Sequence, residues 1–163
     1  LDGNGRIGRL LITLYLVYFG LLTQPTLYIS DFLEKHRSLY YDNLTEVRSK
    51  NNLEQWLKFF LIGVQKTAEN SIETFKQIIA LRAQLEGKII SLGKKQLLAK
   101  KFLELLYSQP ILDISSIAQQ LDINFTTANR LVNDFIRLEI LIEQTGMKRN
   151  RQFIFEDYMK LFR

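Results

Sequence analysis

Apolar positions fall along this chain in three different textures. From Leu10 to Leu22 they are nearly continuous, interrupted only by Thr13 and Gly20. A run that is apolar on every side predicts a helix buried all round at the centre of a bundle, with Gly20 near its end and Pro25 as a stop. Next, Ser30 is placed to cap an amphipathic helix with Asp31 and Glu34 in its first turn and Phe32, Leu33, Leu39, Tyr40, Leu44 and Val47 as its apolar positions. After the polar break at Arg48-Ser49-Lys50-Asn51-Asn52, Asn52 and Gln55 form a capping pair. Leu53, Trp56, Leu57, Phe60, Val64, Ala68, Ile72, Phe75, Ile79 and Ile89 then keep near-helical spacing. They predict one long helix, or two stacked ones broken near Asn70-Ser71, reaching about 55 Å if continuous at roughly 1.5 Å per residue. Trp56, Phe59 and Phe60 read as core.

The texture changes after Ser91-Leu92-Gly93, which marks a boundary between residues 1–91 and 92–163. Lys94–Tyr107 is an amphipathic helix carrying Leu97, Leu98, Phe102, Leu105 and Leu106, with Pro110 just beyond it. Ser115–Leu121 makes a short helix, Asp122-Ile123-Asn124 a turn, and Thr126–Leu138 a second helix with Ala128, Leu131, Val132, Phe135 and Leu138 inward. Asn124 is a natural N-cap for it. Helix, tight turn, helix at these lengths is the helix-turn-helix pattern. Ile140-Leu141-Ile142 and Gln152-Phe153-Ile154-Phe155 read as two strands joined through Thr145–Arg151. The expected fold class is mainly α: a helical bundle followed by a small helix-turn-helix domain with a two-stranded wing.

Composition supports an ordered protein. Of 163 residues 47% are hydrophobic and 24% charged, which argues against disorder. The net charge is +5, split at Ser91 into 11 Lys+Arg against 9 Asp+Glu before and 11 against 8 after. So thin a spread is no polybasic footprint. The absence of cysteine excludes disulfides and thiolate metal sites and suits a cytoplasmic protein. Leu10–Leu22 covers 13 residues, against the roughly 20 that a bilayer core requires, and Thr23-Gln24-Pro25 offers no small-residue cleavage site. No membrane association is expected, and a homodimer is left open.

The candidate chemistry is concentrated in Leu1-Asp2-Gly3-Asn4-Gly5-Arg6-Ile7-Gly8-Arg9. Glycines let a backbone approach a ligand closely, and a helix starting at Leu10 would aim its unpaired N–H groups and positive dipole end at the loop. Asp2 offers oxygens to a hard cation, and Arg6 and Arg9 can clamp phosphate oxygens. Gly3-Asn4-Gly5-Arg6-Ile7-Gly8 also satisfies the Gly-x-Gly-x-x-Gly dinucleotide fingerprint, with Asp31 at the end of a candidate strand from Thr26. Against that rival, no strand precedes Gly3 and no further parallel strands follow Asp31. A plain glycine-rich turn beside a helix cap is the other alternative.

Leu1–Arg9 resembles the signature of the Fic family, His-Pro-Phe-x-(Asp/Glu)-Gly-Asn-Gly-Arg-x-x-Arg, from its variable position onward. The segment Trp56–Ala83 is similar to the helices that close a Fic core, and the C-terminal part resembles the winged helix that such proteins often carry, with Arg149-Asn150-Arg151 at the wing. The resemblance implies a Fic-type bundle truncated at its N-terminus and transfer of AMP from ATP to a Ser, Thr or Tyr hydroxyl of a target protein. It further implies that Asp2 holds Mg²⁺, that Gly3, Asn4 and Gly5 form an anion hole, and that Arg6 and Arg9 handle the distal phosphates. The family's catalytic His would lie upstream of Leu1. The parent is therefore expected to be an adenylyltransferase, and this chain alone to be inactive. Some Fic proteins carry an inhibitory helix with Ser or Thr four residues before a Glu. At Glu86 that earlier residue is Arg82, so Glu86 reads as an ordinary helix-end residue. His36, the only histidine, reads as a solvated surface residue.

The alternative is a regulatory module in which the winged helix binds DNA or docks protein. On DNA, Thr126, Thr127, Asn129, Arg130 and Asn133 would approach bases, and Lys148, Arg149 and Arg151 would meet phosphates. Phe125 at the head of that helix suits a thymine methyl or a protein partner equally.

Overall fold

A computed structural model describes residues 4–147 and 151–162 of the chain, and the side chain of Asn4 is not described. It is mainly helical: α1 (Asn4–Tyr18), α2 (Ile29–Lys35), α3 (Arg37–Lys50), α4 (Leu53–Ile90), α5 (Gln96–Ser108), β1 (Ile111–Asp113), α6 (Ile114–Gln120), α7 (Phe125–Arg137), β2 (Ile142–Glu143), β3 (Gln152–Ile154) and α8 (Glu156–Lys160). Two compact units divide at Glu73/Thr74, inside α4, whereas the sequence pattern suggests a boundary at 91. The difference has a local cause. Leu85 and Ile89 on the last turns of α4 are 1% and 2% exposed in the core of the second unit, so these turns fold with the helices and strands downstream of them.

In unit 1, Leu1–Glu73, the helix expected from Leu10 begins at Asn4 and takes in Gly5 and Gly8. It ends where Gly20 adopts φ +70 and Leu21 N–H donates to the Leu16 carbonyl at 2.9 Å, the six-to-one closure that favours glycine. The expectation of all-round burial is not met: Leu10, Leu11, Leu14 and Tyr15 are each about half or more exposed. The reason is the supply of partners: among the described residues the buried Thr13 hydroxyl bonds to the segment leading into α2, donating to the Leu27 carbonyl at 3.0 Å. Leu27, Ile29 and Leu33 are the buried apolar residues beside it.

The helix expected from Ser30 is two. α2 begins one residue earlier, Tyr28 occupies the N-cap position without a side-chain hydrogen bond, and Ser30 is already helical, so the capping role assigned to Ser30 is incorrect. At His36 the backbone (φ −112, ψ 37) breaks the run, closing α2 through its N–H and opening α3 through its carbonyl. His36 is half-buried with its ring 4.5 Å from that of Phe32, which corrects its reading as a solvated residue. The Asn52–Gln55 pair forms as expected: Gln55 N–H donates to Asn52 Oδ1 at 3.3 Å, and Asn52 Nδ2 donates to Gln55 Oε1 at 3.2 Å. From there α4 runs unbroken through Asn70-Ser71 and past Gly87. Trp56, Phe59 and Phe60 are half-buried in an aromatic chain that reaches Tyr40 and Phe32.

Unit 2, Thr74–Arg163, holds the larger core. Phe102, Leu106, Ile117, Ala128, Val132, Phe135, Phe153 and Phe155 are fully buried, and the rings of Phe102 and Phe135 lie 4.5 Å apart. The sheet has three strands rather than two, in the order β1-β3-β2, both pairs antiparallel, with Leu112 opposite Phe153 and Ile142 opposite Ile154. Ile140 and Leu141 are buried ahead of β2 rather than within it. Side chains cap both short helices. Asp113 Oδ1 accepts from Ser116 N–H at 2.9 Å at the head of α6, and Asn124 Oδ1 accepts from Thr127 N–H at 2.8 Å at the head of α7. Between them Asp122 takes φ +52, a left-handed turn residue that Asp tolerates better than most.

Candidate functional site

Two groups of sequence-predicted residues are assembled separately, one in each unit. In unit 1, Asp2 and Gly3 lie outside the described residues. Asn4, Gly5 and Arg6 form the first turn of α1, where backbone N–H groups have no acceptor within the helix. Gly5 and Gly8 are ordinary helical residues, so the glycine-rich loop is shorter than the motif suggests. Arg6 and Arg9, one turn apart, line a cavity of about 400 Å³ together with Thr13, Tyr28 and Ser30. Arg6 is exposed and Arg9 half-buried. The Arg9 Nε is buried and meets no hydrogen-bond acceptor among the described residues. A guanidinium N–H out of water without an acceptor is costly, while the remaining N–H groups of a guanidinium can serve an anion.

Thr13, Tyr28 and Ser30 were missed as site residues. Thr13 did give a signal, as the one aliphatic hydroxyl in a 13-residue apolar run. Its bond to Leu27 holds the far wall of the cavity against α1. The strand that a dinucleotide-binding fold needs at Thr26–Asp31 is absent: the chain is irregular to Tyr28 and helical from Ile29. Glu86, weighed as an inhibitory residue, pairs instead with Arg82 on its own helix at 3.0 Å. Among the described residues no three His, Asp or Glu side chains gather as a ready-made metal cluster.

In unit 2, Thr126, Asn129, Arg130 and Asn133 follow helical spacing on one face of α7, opposite the buried Ala128, Leu131, Val132 and Phe135. Thr126, Arg130 and Asn133 are exposed, while Asn129 is half-buried and Thr127 sits half-buried at the flank. The one acid of α7, Asp134, is 4% exposed and turned inward, where it accepts from Lys95 Nζ at 2.6 Å and from Arg137. The exposed face of α7 therefore carries amides, a hydroxyl and cations, and no carboxylate.

Arg151, expected at phosphate, has its guanidinium in contact with α7, β2 and β3. Its Nη2 donates to Asn129 Oδ1 at 3.1 Å, its Nη1 approaches Glu143 Oε2 at 3.5 Å, and its guanidinium carbon lies 5.4 Å from the Phe153 ring centre. Lys148 and Arg149 lie outside the described residues. The Arg151–Asn129 bond ties the residue just ahead of β3 to α7 across 22 positions of sequence. No local pattern announces it. No protein-family model matches the chain.

Proposed function

We propose that the chain is the C-terminal portion of a Fic-type protein adenylyltransferase, with a winged helix-turn-helix domain in its second unit, and that unit 1 supplies the phosphate half of an ATP site. The observation that carries the reading is the run Asp2-Gly3-Asn4-Gly5-Arg6-x-x-Arg9 in the sequence, whose two arginines line one cavity at the head of α1. Phosphate chemistry fits that donor set: helix-head N–H groups from Asn4, Gly5 and Arg6 and two guanidinium groups, while the Asp2 carboxylate suits the accompanying cation.

In the reaction the target hydroxyl oxygen bonds to the α-phosphorus of ATP as the bond from that phosphorus to the bridging oxygen breaks. Pyrophosphate departs, and the hydroxyl proton passes to the motif histidine, which is not among these 163 residues. The helix-head N–H groups of α1 hold phosphate oxygens in line for the displacement. Arg6 and Arg9 neutralise charge that builds on the departing pyrophosphate. Mg²⁺, held by Asp2 and phosphate oxygens, would supply further neutralisation of that charge.

The test is isothermal titration of the chain with Mg-ATP, repeated on Asp2→Ala and Arg9→Ala. Binding by the native chain that falls in both variants is expected. Absence of binding by the native chain, or binding that both variants retain, would refute the nucleotide reading.

A further inference from the structure

The division into structural units redistributes the charge. Unit 1 holds 8 Lys+Arg against 8 Asp+Glu, so the whole net charge of +5 belongs to unit 2, with 14 against 9. A split at residue 91 spreads the excess over both parts, because Lys76, Arg82 and Lys88 then count with the first. Within unit 2, α7 presents Thr126, Asn129, Arg130 and Asn133 on one exposed face, followed by Arg137 a turn further on. That face lacks an apolar anchor of the kind a protein interface is built on, apart from Phe125 at the helix head, 57% exposed. Amide and guanidinium groups at successive turns match the hydrogen-bonding edges of bases. The major groove of B-form DNA, about 12 Å wide, admits an α-helix, whereas that of A-form RNA does not.

We propose that unit 2 binds double-stranded DNA through α7 in the major groove, and that Arg151 fixes Asn129 as a hydrogen-bond donor so that it selects guanine over adenine at its base. The proposal rests on the helix-turn-helix reading of this unit and is independent of the ATP site. A free asparagine side chain pairs with adenine by donating to N7 and accepting from N6. Here Asn129 Oδ1 already accepts from Arg151 Nη2 at 3.1 Å, so an adenine N6 amino group would have to share that oxygen with a cationic donor, on its one remaining lone pair. The Asn129 Nδ2 makes no hydrogen bond within the described residues. Two donor hydrogens facing a base edge suit guanine, whose O6 and N7 both accept, and the adjoining guanidinium favours the same electronegative edge. Glu143 and the Phe153 ring hold Arg151 in that position from behind.

The test is selection by the full chain from a duplex DNA pool with a randomised centre, followed by anisotropy titrations of the selected duplex and its single-base variants across a salt series. The position read by Asn129 is the one whose preference is lost in Asn129→Ala. Guanine is expected there, favoured over adenine by roughly five- to a hundred-fold. Arg151→Met keeps a stem over Phe153 and frees Oδ1, so the preference at that position should turn to adenine. Should Arg151→Met fail to fold, Asn129→Ala and the native chain still decide the identity of the base. Adenine at that position in the native chain, or an unchanged consensus in both variants, would overturn the Asn129 read-out while leaving duplex binding in place. If no duplex is retained even at low salt, or retention is indifferent to Arg130→Ala and Asn129→Ala together, the DNA reading itself fails and the face belongs to another class of partner.

Discussion

Gly63 and Gly87 lie on the same helix, and replacing each by alanine should move stability in opposite directions. At Gly63 an added Cβ would stand 2.6 Å from both Cδ1 and Cε1 of Phe32 and 3.5 Å from its Cγ. Carbon atoms pack at about 3.5–4.0 Å, so helix and ring would have to part by about 1 Å. Phe32 has little room to yield, with His36 4.5 Å away on one side and Phe59 5.5 Å away on another, both measured between ring centres. Overpacking of this kind costs about 1–3 kcal/mol, while exchanging glycine for alanine inside a helix gains about 1 kcal/mol. The net expectation for Gly63→Ala is a loss of about 1 kcal/mol from unit 1. Gly87 has nothing within 4 Å of its added Cβ, so Gly87→Ala should keep the whole gain of about 1 kcal/mol. Urea unfolding measures both. Fluorescence of Trp56, the only tryptophan and a member of the same aromatic chain, follows unit 1, and far-ultraviolet circular dichroism follows the helices together. Equal stabilisation by the two substitutions would show that Phe32 does not lie against Gly63, and the packing of α2 on α4 would have to be redrawn.

Helix caps and the missing base carry three more expectations. Asp113→Ala removes the cap of α6 and should cost about 1 kcal/mol by thermal unfolding. Ser116 N–H, with help from its hydroxyl, holds the Asp113 carboxyl below the usual aspartate range, so this stabilisation is complete above about pH 4 and is lost as the pH falls through the lowered folded-state value; Asp113→Asn should keep a cap and flatten that acid limb. Asn124→Ala should cost about 1 kcal/mol by freeing Thr127 N–H at the head of α7, read by the same melt. Finally, because the motif histidine is not among these residues, this chain supplied as sole enzyme with labelled ATP should leave a target protein unlabelled, and label on the target would overturn that assignment of the base.

Much of the framework is legible in the sequence wherever its cause is local. The spacing from Leu53 onward marks α4, Asn52 and Gln55 mark its start, and Asn124 marks the head of α7, because caps and periodicity act over a few residues. The features that escaped depend on distant partners. Continuous apolar residues from Leu10 suggest burial, yet burial requires surfaces to pack against, and the pattern cannot say whether a chain supplies them. Ile111–Asp113 is too short to alternate visibly and becomes a strand by pairing with β3, about 40 positions on. His36 breaks a helix with no glycine or proline to announce it. The candidate sites divide the same way. The motif groups Arg6 and Arg9, in a stretch that reads as a loop and is the start of α1, whereas Thr13, Tyr28 and Ser30 join them through tertiary structure, with a bond between Thr13 and Leu27.

The central claim is that Arg9 meets the distal phosphates of a nucleotide, and the most direct measurement compares ATP with AMP. Both are titrated in the presence of Mg²⁺ against the native chain and Arg9→Ala by calorimetry. A charge-assisted bond of about 1.5–3 kcal/mol corresponds to roughly a ten- to a hundred-fold loss of affinity. That loss is expected for ATP in Arg9→Ala, with AMP binding unchanged, so that the preference for ATP collapses. Equal losses for the two nucleotides, or an ATP affinity untouched by the substitution, would contradict the assignment of this cavity to a nucleotide's phosphates.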